Sequence, residues 1–199
     1  MDFNYALILL AATTASPNCS YDVAQLLDLP FEQFDQDMNG GWRSLKIKGC
    51  SEAAAEALSR YRNNHVPLTD SQRSVLLWHE GQIFAFMGRY ERAMPLLLAG
   101  IPVDDTTGFM DYALGTVAFL RRDKRALRTA RSNLAALPKP SNWDDSITTT
   151  VNGRSVVIFA PWPPNLNVLD GLSKCFNRTY SQAYFCRPLK IKAAEKSAR

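Results

Sequence analysis

Three oxygen-bearing side chains stand at alternate places in Asp35-Gln36-Asp37-Met38-Asn39-Gly40-Gly41-Trp42, with a glycine directly after the third. That is the opening half of a calcium-binding loop, in which alternate residues aim oxygens at a hard cation and the glycine makes the tight bend. The twelfth place of such a loop needs a bidentate glutamate. Here it holds Lys46, whose ammonium would repel Ca²⁺. A calcium-binding or enzymatic protein using this loop, with Asp35, Asp37 and Asn39 as ligands, is therefore the alternative reading of the stretch. The main reading is a capped helix end followed by a glycine turn that seats Trp42 in the core.

The other reactive residue types offer less. There are two histidines, His65 and His79, and no second histidine follows His79 at the four-residue spacing of a zinc-protease helix. His79 reads as a packed or solvent-facing side chain. Neither the nucleophile-elbow pattern nor a phosphate-binding glycine loop occurs. The pairs Asp104-Asp105 and Asp144-Asp145 fall in turn-like segments, where carboxylates cap helices or stay solvated. These residues predict a protein that is not an enzyme and that has no cofactor.

Basic residues cluster at Arg121, Arg122, Lys124, Arg125, Arg128 and Arg131. On a helix, Lys124, Arg128 and Arg131 share a face, with Arg121 and Arg125 close by. Such a stripe could meet nucleic acid, an anionic surface or an acidic protein. No aromatic side chains are interleaved to stack on bases, so nucleic acid is not the expected partner. The plain reading is a solvated face, with some cations facing a helix C-terminus near Leu120.

Helices must position these groups. Thr69 can cap a helix, and Gln72, three residues on, can complete a capping box. Leu76, Leu77, Ile83, Phe84, Phe86 and Met87 then recur at helical spacing, and Gly88 stands where a terminating glycine belongs. A second helix with Ala93, Leu97 and Leu98 facing inward follows at once. Gly81 and Ala93 are small enough to let the two helices pack closely. Upstream, Tyr21 to Leu29 reads as a short helix ended by Pro30, and Phe31 and Phe34 lie one turn apart before the Gly40-Gly41 break. Downstream, a last helix ends near Leu137, where Pro138 and Pro140 stop it.

Gly81, Phe84, Gly88, Tyr90, Ala93 and Leu97 follow the order and spacing of a tetratricopeptide repeat, and the chain resembles a divergent member of that family. Shifted by 33 residues, Phe84 falls on Val117, Ala93 on Ala126 and Leu97 on Ala130, while Gly88 falls on Arg121 and Tyr90 on Asp123. A third copy precedes them, carried by Trp42, Leu45, Gly49, Ala54 and Leu58. Pro95 departs from the pattern. The resemblance implies stacked helical hairpins in a superhelix, and a groove that takes a peptide or protein segment. Glu80, Gln82 and Arg89 are the helix-face residues of the best-matched hairpin that would reach it, with Arg121, Arg125 and Arg128 as further contacts.

Past Pro140 the pattern turns extended. Ile147 to Val151 and Arg154 to Phe159 are β-branched runs joined by Asn152-Gly153, which supplies the positive φ angles of a type I′ turn. A lone hairpin is marginal in water, so this one is expected to lean on the helices. Asn165 can cap a helix from Leu166 to Phe176, and Tyr180 to Phe185 forms another. Trp143, Trp162, Tyr180 and Tyr184 read as core.

At 199 residues the chain is long enough for one well-filled domain, and its net charge of +4 calls for no polyanionic partner. No run reaches the roughly 18 apolar residues of a membrane span. Tyr5 to Ala15 has the length of a signal-peptide core and ends in small residues, although Met1 to Asn4 carries an acid and no cation. Export to the periplasm or the medium is the expectation, and a cytoplasmic protein with a buried first helix the alternative. Four cysteines allow three pairings, and their grouping favours Cys19–Cys50 and Cys175–Cys186. The expected organisation is a leader over 1–18, helical hairpins over 19–137, a β-hairpin and helical cap over 138–189, and a basic tail over 190–199. The expected fold class is mostly α.

Overall fold

The computed structural model describes residues 18–64 and 67–186. The apolar run Tyr5–Ala15, His65 and the basic tail lie outside the described residues.

Helix α1 is Val23–Leu27, followed by a single π-helical turn, Glu32–Gln36, and then α2, Gly41–Ile47. Next come α3, Ser51–Asn64; α4, Asp70–Phe86; α5, Tyr90–Ala99; α6, Phe109–Leu120; and α7, Lys124–Ala135. Strands β1, Ser146–Val151, and β2, Arg154–Phe159, precede α8, Leu166–Lys174, and α9, Tyr180–Tyr184. The fold is mostly helical with one small antiparallel hairpin, as its patterning predicts.

Three successive helix pairs are closed by the same turn. After α2, α4 and α6 the chain passes through one left-handed residue, Gly49 (φ 85), Gly88 (φ 77) and Arg122 (φ 61). The next residue's N–H then reaches back to the preceding helix: Cys50 to Leu45 O at 2.9 Å, Arg89 to Phe84 O at 2.9 Å and Asp123 to Ala118 O at 2.8 Å. This is the Schellman closure, which satisfies carbonyls that a helix end leaves open. Glycine takes the left-handed well at no steric cost, and Arg122 takes it against its own preference. The turns fix the offset of the second and third pairs at 34 residues, Gly88 with Arg122, so the shift of 33 is one short. Ala126, set against Ala93 by that shift, is exposed beside the buried Leu127, whereas Val117 and Ala130, set against Phe84 and Leu97, are buried.

The α4–α5 pair is built as its residues dictate. Thr69 and Gln72 form the complete capping box. Ala93 and Leu97 are fully buried, and a Cβ on Gly81 would stand 3.0 Å from the Leu97 backbone nitrogen. The pairs pack in series through α3 against α4 and α5 against α6, with α8 on α6 and α7. Covering the C-terminal end falls to α8 and α9. Tyr180 of α9 is fully buried, donates its N–H to Tyr90 Oη at 3.0 Å and meets Phe86 and Phe119 ring to ring. Asn165 heads α8 in a left-handed conformation and makes no side-chain cap bond, contrary to its expected capping role. Cys19–Cys50 ties the segment before α1 to the start of α3, and Cys175–Cys186 ties α8 to the end of α9, the pairing that regional grouping favours.

Asn152 (φ 51) and Gly153 (φ 72) make the predicted turn of the hairpin. The ribbon touches the helical part lightly along its length, Thr149 donating to Gln36 O at 3.5 Å. It is held chiefly at its two ends. At the base, Trp143 and Trp162 meet edge to face at 5.0 Å, and their indole nitrogens donate to Ala160 O and Leu137 O, each at 3.0 Å. At the tip it is held by Asp37, 115 residues away from Asn152 in sequence.

Candidate functional site

The acidic stretch is a junction. Asp35 is fully buried at the π-helical turn. Its Oδ1 accepts the indole N–H of Trp42 at 2.9 Å and faces His79 Nδ1 at 2.8 Å, and its Oδ2 accepts from Gln36 at 2.7 Å. Arg43 donates to the Asp35 main-chain oxygen, lies 4.3 Å over the Trp42 ring and approaches His79 Nε2 at 3.4 Å. A guanidinium only donates, so that nitrogen acts as acceptor and the imidazole proton sits on Nδ1, toward Asp35. The atom a general base would use therefore faces a cation. Burial pushes the Asp35 carboxyl up, but the His79 hydrogen bond, the charge of Arg43 and the Trp42 bond together hold it below its ordinary value.

Asp37 faces the other way. Its carboxylate accepts four main-chain N–H groups, from Asn39 (3.0 Å), Gly40 (3.1 Å), Asn152 (3.1 Å) and Gly153 (2.9 Å). Met38 N–H donates to Thr150 O at 2.8 Å beside it. The Asn39 bond, with those of Gly153, Asn152 and Gly40, lowers the Asp37 carboxyl against a smaller desolvation effect. Asp35 and Asp37 thus serve different neighbours, and among the described residues no three His, Cys, Asp or Glu side chains gather as a metal cage. Lys46, at the loop's twelfth place, lies 4.4 Å over the Phe86 ring.

The basic residues separate into two sets about the turn between α6, which ends at Leu120 as expected, and α7. Arg122 donates to Phe176 O at 2.6 Å and Arg178 O at 3.0 Å, clamping the segment between α8 and α9. Arg131 pairs with Asp170 of α8 at 2.8 Å. Arg121, Arg125 and Arg128 are exposed and make no ion pair among the described residues. Arg121 and Arg125 border a groove of about 570 Å³ between α5, α6 and α7. Its floor is apolar, with Leu98, Leu114, Val117 and Ala130. Two carboxylates also border it, and both are engaged: Asp123 caps α7 through Ala126 N–H at 2.9 Å, and Asp111 accepts from Asn133 at 3.3 Å.

The remaining expected contacts lie elsewhere. Glu80 is buried and bound to Arg62 at 2.9 Å, Gln82 is half-buried, and Arg89 is exposed and paired with Glu52 of α3. The sequence reading missed the groove floor. Its signal is in α6, FMDYALGTVAFL, which is apolar on nearly every face, although Met110 and Leu114 remain about half exposed. No helix among the described residues is long and apolar enough to cross a membrane. Compared with known proteins, the chain matches no family model, no curated protein and no solved structure.

Proposed function

We propose that the chain is a non-catalytic binding module of divergent tetratricopeptide-like type, and that its groove between α5, α6 and α7 takes a protein segment bearing carboxylates and apolar side chains. One observation carries this reading: an apolar floor bordered by two guanidiniums with no ion-pair partner among the described residues, beside two carboxylates already hydrogen-bonded to Ala126 N–H and Asn133. An acidic segment supplies the missing counter-charges, and the floor supplies the area that desolvates them. A photo-crosslinker at Leu114 would identify the segment, and titration of that peptide would measure it. Arg121→Glu with Arg125→Glu should weaken binding by about a hundredfold, since each contact changes from attraction to repulsion. Equal affinity for the parent and the double variant would end the proposal.

The same reading places the protein outside the cytoplasm. Two disulfides in one small chain accord with an oxidising compartment, and Tyr5–Ala15 accords with a leader. Intact-mass measurement of native material should find roughly the first 15–18 residues gone and four hydrogens fewer than in the reduced chain. A full-length chain with four free thiols would place it in the cytoplasm.

A further inference from the structure

We propose that two copies of this chain pair through the outer edge of β2, antiparallel, into one four-stranded sheet. The argument begins with the register. Val151 pairs with Arg154 across a two-residue turn, so residues 151, 149 and 147 exchange hydrogen bonds with 154, 156 and 158. The alternate residues turn their main-chain groups outward. On β1 these are Thr150, Thr148 and Ser146, and Met38 N–H has already taken the Thr150 carbonyl. The Asp37 loop therefore occupies the β1 side of the ribbon. On β2 they are Ser155, Val157 and Phe159, whose main-chain groups bond to no other described backbone group. Val157 and Phe159, on one face of that edge, are 71% and 73% exposed.

Such an edge invites another strand, and proteins that remain monomeric usually guard it with lysine, proline or a bulge. From Ser155 to Phe159 there is no guard: the run is Ser-Val-Val-Ile-Phe. Its three outward residues are an odd number, so a two-fold axis can pass between Val157 and Val157 of the second copy. Ser155 then lies opposite Phe159, and Phe159 opposite Ser155, a self-complementary contact of the kind that closes as a dimer. Each Phe159 falls diagonally beside the other copy's Val157, within reach of an aromatic ring. Charge selects the direction. Antiparallel pairing sets the two Arg154 side chains at opposite ends, about 20 Å apart, whereas parallel pairing would set like charges side by side. Both ends of the edge are defined, by the turn before Arg154 and by Ala160, whose N–H is committed to Asp145 O at 2.7 Å with Pro161 next.

The contact is small, one strand edge and two apolar side chains per copy, below the roughly 1,200 Å² of a standard interface. Association is accordingly weak and depends on concentration. Sedimentation velocity of the full chain over a roughly hundredfold concentration range tests it, with amide exchange as a second readout. The parent should pass from monomer to dimer, and the amides of Ser155, Val157 and Phe159 should slow as it does. Val157→Pro removes an outward N–H and leaves the ribbon's own bonds intact, and Val157→Lys places two ammonium groups at the axis; both should remain monomeric. Thr148→Pro, the matching change on the β1 edge, should dimerise as the parent does. A parent that stays monomeric throughout overturns the proposal. So does a dimer that persists in both Val157 variants, or one that Thr148→Pro abolishes equally.

Discussion

Two regions of the molecule concentrate charge, and they treat it in opposite ways. Around Asp35 and Asp37 the carboxylates are answered both locally and from three other elements: Gln36, Asn39 and Gly40 donate from beside them, α2 supplies Trp42, α4 supplies His79, and the hairpin tip supplies two backbone amides. Around the α6–α7 turn, Arg121 and Arg125 stand at an apolar groove with their forks unanswered by any described carboxylate. The first region has the denser array of reactive groups and is the better candidate by composition alone. It is the second that has capacity left for a partner. What separates them is whether the fold already provides the counter-group.

Removing the buried carboxylate tests the first half of that contrast and should have the largest effect. Asp35→Ala would leave Arg43 and His79 facing each other in a largely dry site, and breaking one side of such an arrangement costs about 3–5 kcal/mol. Denaturant unfolding measures this directly. A loss below about 1 kcal/mol would mean that water already serves the cluster and that the junction is not a structural centre.

Acid should act on the same place with a moderate effect. Both carboxyls titrate below their ordinary value in the folded chain. Their stabilisation is therefore complete above the unfolded value of about 3.9 and disappears as pH falls through the lower folded values. Asp37→Asn should cost about 1–2 kcal/mol at neutral pH, because an amide oxygen accepts fewer and weaker bonds. It should also flatten the acid limb of a melting-temperature profile. An unaltered acid limb would remove Asp37 from it.

The smallest effect sharpens the contrast most, because it compares neighbours. Arg122→Ala removes the clamp on Phe176 and Arg178 and should cost about 1 kcal/mol. Arg122→Gly loses the same bonds but relieves the left-handed backbone, so it should be the milder of the two. Arg121→Ala should stay within about 0.5 kcal/mol of the parent. Similar losses at 121 and 122 in thermal unfolding would erase the division of the basic cluster into engaged and unengaged residues.

What was legible in the sequence is what short spacing encodes. The Thr69–Gln72 cap, the Gly88 turn, the close packing at Gly81 and Ala93 and the Asn152-Gly153 turn each depend on a few adjacent residues, and each forms as read. The junction escaped because its partners are distant: His79 is 44 residues from Asp35, and Asn152 is 115 from Asp37. No periodicity reports a contact of that kind. The resemblance to a cation loop has a physical source. Alternate carboxylates with a following glycine gather positive partners into a tight bend, and a backbone N–H satisfies that geometry as a metal ion does. The basic run was only partly legible for a related reason. A helix end near Leu120 is readable, but composition alone gave no sign that Arg122 would occupy the left-handed place that glycine holds in the other two turns.

The distance between Asp37 and the hairpin tip also bears on time. Each helix pair closes through a turn of a few residues, so its contacts become available early in folding. The tip meets Asp37 only by closing 115 residues of chain, at an entropic cost that grows with the logarithm of loop length and is set against the two amides of Asn152 and Gly153 on Asp37 and the short bridge at Thr150. This contact therefore forms after the helices have stacked and shortened the gap it must span. By the same reasoning it is the first to open in the native fluctuations that expose amides to exchange. The Asn152 and Gly153 amides then keep the clock of the molecule: their protection begins when assembly ends.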